Sequence, residues 1–72
     1  MTNKLKTLTE DWGYSEPEAM VEDYLFDGVM PAICVNDDCD YTTEMEPDQD
    51  RGWCDCCHTN TVQSASILMG II

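Results

Sequence analysis

The sequence has few basic residues and no long apolar run, and these two shortages exclude several classes of function. Its 72 residues include three Lys or Arg against 15 Asp or Glu, and the formal net charge is −12. Nucleic-acid backbones and anionic membrane surfaces repel such a chain, so neither is an expected ligand. No stretch approaches the roughly 20 apolar residues that a membrane helix needs. With no secretory signal at its start, the protein is expected in the cytoplasm.

Histidine is also scarce, which bears on catalysis. The chain has one His, and no Ser/His/Asp or Cys/His arrangement with an orienting group is evident. We therefore expect no enzymatic activity. The apolar content of 43% is near the globular average, so wholesale disorder is not expected. A chain this short has a small core and usually needs a disulfide, a metal or a partner for stability.

The first part of the chain has the pattern of two short helices. Leu5, Leu8 and Trp12 recur at the spacing of one helical face, and Gly13 follows where a helix C-cap glycine belongs. For the second helix the sequence predicts an N-cap at Ser15, with Glu18 completing a capping box. Its apolar stripe is predicted to comprise Met20, Val21, Tyr24 and Leu25. A DNA-binding helix-turn-helix also consists of two helices joined by a short turn. The charged residues of the second helix are all acidic here, however, and the phosphates of DNA would repel them.

The second part of the chain has the pattern of strands and turns. Segments 32–35 and 41–45 are rich in β-forming residues, and 46–52 has the composition of a loop. Periodicity leaves 63–69 open between a strand and a short helix. The predicted fold is α+β, with an N-terminal helical hairpin (1–28) packed on a zinc ribbon with an apolar C-terminal segment (29–72), together forming one structural domain.

The cysteines fall into two groups that have the spacing of metal ligands. Four residues separate Cys34 from Cys39, two separate Cys54 from Cys57, and 14 lie between the groups. Two tight turns joined by a strand-loop-strand segment can place four thiolates around one tetrahedral ion. Disulfides rarely persist in a reducing compartment, and the odd count of five fits a closed set poorly. The spacing therefore predicts a structural metal site.

The residues alone leave two points about this site open. The segment 54–58 offers three thiols and an imidazole for two positions. Cys54 and Cys57 have the usual knuckle spacing, which leaves Cys56 as a spare thiol and His58 as a neighbour, although either could replace a ligand. Zinc is favoured by availability, but a site of four thiolates also fits iron.

The cysteine-rich part resembles small zinc-ribbon proteins that recur in bacteriophage and bacterial genomes. The resemblance rests on four segments: CVNDDCDYTT (34–43), EPDQ (46–49), GWCDCC (52–57) and NTVQSA (60–65). It implies a zinc ribbon with ligands at Cys34, Cys39, Cys54 and Cys57, and supplies no established activity. The chain departs from the pattern at Cys56, where a polar residue is usual, and at His58, where a knuckle glycine is usual. The resemblance also implies phage origin, with the host cytoplasm as the location.

Charge and resemblance together point to a non-catalytic accessory protein. We expect it to dock on a basic surface of a larger protein, such as RNA polymerase or another nucleic-acid-processing machine, without binding nucleic acid directly. Three alternatives remain open: a DNA-mimic inhibitor of a nucleic-acid enzyme, a rubredoxin-like iron electron carrier and a virion structural protein. The many acids could also hold calcium, but they lack the pattern of an EF-hand loop, and a solvated acidic surface is favoured.

Overall fold

The described residues form a four-stranded antiparallel sheet and three short helices, which confirms the α+β class. The computed structural model describes residues 3–24 and 26–70. The elements in chain order are α1 (Asn3–Asp11), α2 (Pro17–Asp23), β1 (Met30–Cys34), β2 (Thr42–Met45), β3 (Gly52–Cys54), β4 (Thr59–Ser64) and α3 (Ala65–Met69). In these described ranges no helix is long and apolar enough to cross a bilayer.

Helix α1 ends where the sequence predicts, at a left-handed glycine. Gly13 has φ 83°, and its N–H donates to the Glu10 carbonyl while the Tyr14 N–H donates to the Thr9 carbonyl. This pair of bonds is a Schellman motif, which satisfies the last carbonyl groups of the helix. Leu5 and Leu8 are buried, as the apolar spacing indicates.

The predicted capping box at the start of α2 is wrong. Glu16, not Ser15, is the N-cap residue, and no side chain caps the helix there. The reason is Pro17 at the first helical position, because a proline forces the residue before it into extended backbone. Glu16 accordingly has φ −152° and ψ 152°. The helix ends at Asp23, and the predicted core position Leu25 lies outside the described residues.

The sheet consists of two hairpins joined side by side, in the strand order β2-β1-β4-β3. The central pair aligns Ala32 with Ser64 and Cys34 with Val62. Pro31 lies within β1, where a missing N–H would normally break a ladder. It is tolerated because the pairing with β4 begins only at Ala32.

Strand β1 separates two small apolar clusters, since its residues are buried on both faces. One cluster joins the helices to the sheet and includes Leu5, Leu8, Met20, Val21, Met30, Ile33 and Ala65. The other lies around the cysteines and includes Ala32, Cys34, Cys39, Met45, Cys54 and Val62. Side chains alternate between the two faces of a strand, so Ile33 packs in the first cluster and its neighbours Ala32 and Cys34 pack in the second. The helices thus cover one face of the strand that carries the first cysteine.

Residues 63–69, for which periodicity does not decide between a strand and a helix, form the end of a strand followed by a short helix. Strand β4 continues to Ser64, whose side chain then accepts a hydrogen bond from the Ile67 N–H as the N-cap of α3. Leu68 and Met69 pack partly buried against the helical cluster. The apolar tail therefore contributes to the core as far as Met69, and residues 71–72 lie outside the described part.

Candidate metal centre

Two turns at one end of the sheet bring four cysteine side chains together. Cys34 ends β1 and Cys39 lies in the turn that follows, whereas Cys54 ends β3 and Cys57 lies in the turn before β4. Their four sulfur atoms all lie within 4.8 Å of one another. Three of the four residues are buried, and Cys57 is half-buried. The four cysteines singled out by spacing in the sequence are therefore neighbours in space.

Two of the sulfur–sulfur distances are close to those expected around a tetrahedral metal ion. The Sγ atoms of Cys39 and Cys54 are 3.6 Å apart, and those of Cys34 and Cys57 are 3.9 Å apart. A tetrahedron with metal–sulfur bonds of about 2.3 Å has edges of about 3.8 Å. All five cysteines are free thiols. The cluster could hold one metal ion, and its geometry does not identify which metal.

Backbone N–H groups are aimed at the sulfur atoms. The N–H of Cys57 donates to the Cys54 Sγ over 3.4 Å. The N–H groups of Asn36 and Tyr41 donate in the same way to the sulfurs of Cys34 and Cys39. Such bonds stabilise the negative charge that a thiolate ligand carries. Each turn therefore positions its cysteines and also provides N–H groups that stabilise negative charge on their sulfur atoms.

The sulfur atoms of Cys34 and Cys39 have opposite pKa shifts in the metal-free cluster. Burial raises the pKa of Cys34, but hydrogen bonds from the Thr61 hydroxyl, the Asn36 N–H and neighbouring thiols outweigh burial and lower it to about 7. For Cys39 the Tyr41 N–H lowers the pKa, but burial and the three neighbouring thiols raise it to about 12. The surroundings of the two thiols thus favour the charged form at Cys34 and the neutral form at Cys39.

Cys56 and His58 lie outside the cluster. Cys56 is exposed, and the group of sulfurs does not include it. His58 is exposed too, and its φ of 57° places it in the left-handed region that favours glycine. The imidazole ring instead stacks on Trp53, with centroids 6.3 Å apart and ring planes at 13°.

Two residues of the site were missed by sequence analysis. The Thr61 hydroxyl lies 3.1 Å from the Cys34 Sγ, across the pairing of β1 with β4. The Lys4 ammonium donates to the main-chain oxygen of Cys39 from helix α1. No local sequence motif predicts either contact, because the first depends on strand register and the second on helix packing.

The surface around the site is acidic and largely unpaired. Every one of the 15 Asp and Glu side chains is exposed. In the described part of the chain, the one ion pair joins Lys4 to Asp40 over 3.3 Å. The acids that sequence analysis weighed as a calcium loop are thus solvated, and among the described residues the only candidate metal group is that of the four cysteines.

Comparisons with family models, with curated proteins and with solved structures give no match for this chain. The resemblance to phage and bacterial zinc-ribbon proteins therefore stays a prediction.

Proposed function

We propose that the four cysteines hold one structural Zn²⁺ and that the folded domain is a non-catalytic, acidic protein-binding module. Its partner is a basic surface on a larger protein, such as a nucleic-acid-processing machine. The observation that supports the structural metal is the convergence of four cysteine sulfurs within 4.8 Å of one another. The binding to a basic surface is supported by the exposure of all 15 acids and the net charge of −12.

A metal with four thiolate ligands is structural rather than catalytic. Catalytic zinc keeps one coordination position open for water or substrate, whereas four cysteines occupy all of them. Structural zinc contributes about 10–16 kcal/mol of apparent binding free energy in small modules. The apolar cluster around the cysteines is small and contains three of the four cysteines themselves. The metal would therefore decide whether the cysteine-bearing part of the sheet stays folded.

The metal proposal is tested by composition and by matched cysteine variants. We expect about one zinc per chain and a colourless protein, with loss of the cooperative thermal transition after chelation under reducing conditions. Cys34→Ser should lose the metal and unfold the ribbon, whereas Cys56→Ser, an equal change at an exposed thiol, should retain both. A coloured iron form that bleaches on reduction would instead support an electron carrier. A chelated chain that keeps its cooperative melt would contradict a structural metal.

The charge of the surface supports a basic partner over a nucleic acid. Carboxylates on a folded scaffold attract Lys and Arg at long range, and exposed charges are screened by salt. Charge alone does not separate an accessory protein from an inhibitor that imitates the phosphates of DNA. The two differ in where they bind, because only the mimic occupies the groove that DNA uses.

Capture of partners from host lysate tests the proposed binding to a basic protein surface. The zinc-loaded protein is used as bait at low and at high salt, and captured proteins are identified and re-bound in purified form. We expect a basic partner whose affinity falls steeply with salt, which salt-insensitive binding would contradict. Competition by duplex DNA for the purified partner would favour the mimic, and simultaneous binding would favour an accessory module.

A further inference from the structure

One large aromatic side chain remains open to solvent at the metal end of the sheet. Trp53 is 52% exposed, although it belongs to strand β3 and lies directly beside the ligand Cys54. Strand β3 is an edge of the sheet, and its other side pairs with β4. The indole is therefore accessible from solvent while its backbone is held by a ladder and by the metal turn.

An imidazole stacks on the indole, and an exposed carboxylate lies close to Trp53 in the sequence. The His58 ring stacks on Trp53 in a nearly parallel arrangement. Asp55 follows two residues after Trp53 and is exposed. The Tyr41 hydroxyl donates to the Asp55 Oδ2 over 3.2 Å, which holds that carboxylate in place and leaves its other oxygen as an acceptor. We call Trp53, His58 and Asp55 the ring face.

The charge near the ring face is negative. Four thiolates (−4) around one divalent ion (+2) leave about −2 next to Trp53, through its neighbour Cys54. Asp50 and Asp55 are exposed on either side of Trp53 in the chain, and Arg51 offsets one of these charges. A second copy of this chain would bring −12 against −12, so self-association through this face is disfavoured.

We infer that the ring face binds an arginine side chain of the basic partner. A guanidinium group is planar, stacks on indole rings and pairs with carboxylates, so the aromatic ring and the acid of the ring face both suit it. An ammonium group is a compact, strongly hydrated charge that gains less from a flat ring. This inference rests on the proposed function, because it specifies how the acidic module recognises basic protein.

Nuclear magnetic resonance of the zinc-loaded protein tests the inference with two capped peptides of equal charge, tetra-arginine and tetra-lysine. The two indole N–H signals provide an internal comparison, because Trp12 is half-buried and packs edge-to-face on Tyr24. Tetra-arginine should shift the Trp53 signal in a saturable way and leave Trp12 nearly unchanged. Its affinity should exceed that of tetra-lysine by about threefold.

Variants separate the ring face from general attraction between charges. Trp53→Ala should weaken tetra-arginine binding by about threefold to fivefold and abolish the preference over tetra-lysine. Phe26→Ala is the matched control. Phe26 is 93% exposed and lies shortly before the start of β1, whereas the cysteine cluster lies at the end of that strand. This variant should leave both affinities unchanged. Asp55→Asn should reduce arginine binding without removing any ring, and provides the test if Trp53→Ala loses its metal.

The outcomes distinguish this inference from the function on which it rests. Equal affinity for the two peptides, or a Trp53→Ala variant that binds as the wild type does, would overturn the ring face and leave an acidic module that binds basic chains. No binding of either peptide at low salt would overturn both.

Discussion

The ammonium group of Lys4 in α1 donates a hydrogen bond to the main-chain carbonyl oxygen of Cys39. The same group lies 3.3 Å from the Asp40 carboxylate, and the Lys4 side chain is only 16% exposed. One of the three basic side chains of the protein thus holds the turn that contains Cys39 against the first helix. The helices and the cysteine-bearing part of the sheet are therefore coupled by a specific polar contact as well as by apolar packing.

Lys4→Met should weaken both folding and metal binding. The substitution keeps the length and apolar stem of the side chain but leaves the Cys39 carbonyl without its charged donor. We expect a loss of about 1 kcal/mol, mostly from this hydrogen bond, since ion pairs with an exposed carboxylate contribute little. Thermal melting and competition with a zinc chelator measure the two effects. Lys6→Met makes the same change at an exposed position of α1, and an equal loss there would contradict the role of Lys4.

The parts that sequence analysis predicted correctly depend on local rules. Gly13 ends α1 because only a residue tolerant of positive φ fits the Schellman motif there. Cys54 and Cys57 are placed together because a two-residue spacing suits a tight turn. Cys56 would share a side with Cys54 if β3 continued, but the turn begins at Asp55 and Cys56 ends in solvent.

The parts that it missed depend on long-range placement. Thr61 is near Cys34 only because of the register between β1 and β4, which no spacing in the sequence reveals. The burial of β1 on both faces likewise requires that the helices cover one side and the cysteine cluster the other. At Ser15 two local rules competed, and the effect of Pro17 on the preceding residue overrode the capping box.

The left-handed backbone at His58 should be measurable by comparing two substitutions. His58→Gly and His58→Ala both remove the ring that stacks on Trp53, so they differ mainly in their tolerance of a φ of 57°. We expect the glycine variant to be more stable than the alanine variant by about 1 kcal/mol, because a Cβ is disfavoured in this region. Thermal melting of the zinc-loaded variants gives the comparison, and equal stabilities would show that this turn relaxes away from positive φ.

Gly52→Ala should destabilise the cysteine-bearing part of the sheet by crowding rather than by backbone strain. A Cβ at this buried position would lie 2.5 Å from the Met45 Sδ and 3.2 Å from the Val62 Cβ. The methionine end can move, but Val62 pairs with Gly52 across the β3–β4 ladder and cannot withdraw easily. We expect a loss of about 1–3 kcal/mol in chemical denaturation.

A double variant identifies the source of that loss. Met45→Ala leaves room for the new methyl group, so adding Gly52→Ala in that background should cost clearly less than it does in the wild type. Full additivity of the two losses would mean that contact with Met45 is not responsible.

Thr61→Val should raise the pH that the protein needs to keep its metal. The Thr61 hydroxyl is the strongest of the hydrogen-bond donors that, against the effect of burial, lower the pKa of Cys34 to about 7. A depressed pKa stabilises the fold above the normal thiol pKa, and this contribution is lost as the pH falls through about 7. Valine matches threonine in shape but donates nothing, so the Cys34 pKa should rise. Because metal ligands must be deprotonated, protons should then displace the metal at a higher pH.

Metal retention as a function of pH measures this shift, with cobalt as a coloured substitute for zinc. The midpoint should move upward in Thr61→Val relative to the wild type, while Thr7→Val, the same change on α1, should leave it in place. The pH range of the effect separates two explanations. A general loss of stability would lower metal retention at every pH, whereas a raised thiol pKa acts only where protons compete with the metal. At alkaline pH the two proteins should therefore bind the metal nearly equally, and a deficit that persists there would indicate that Thr61 serves packing rather than the charge of Cys34.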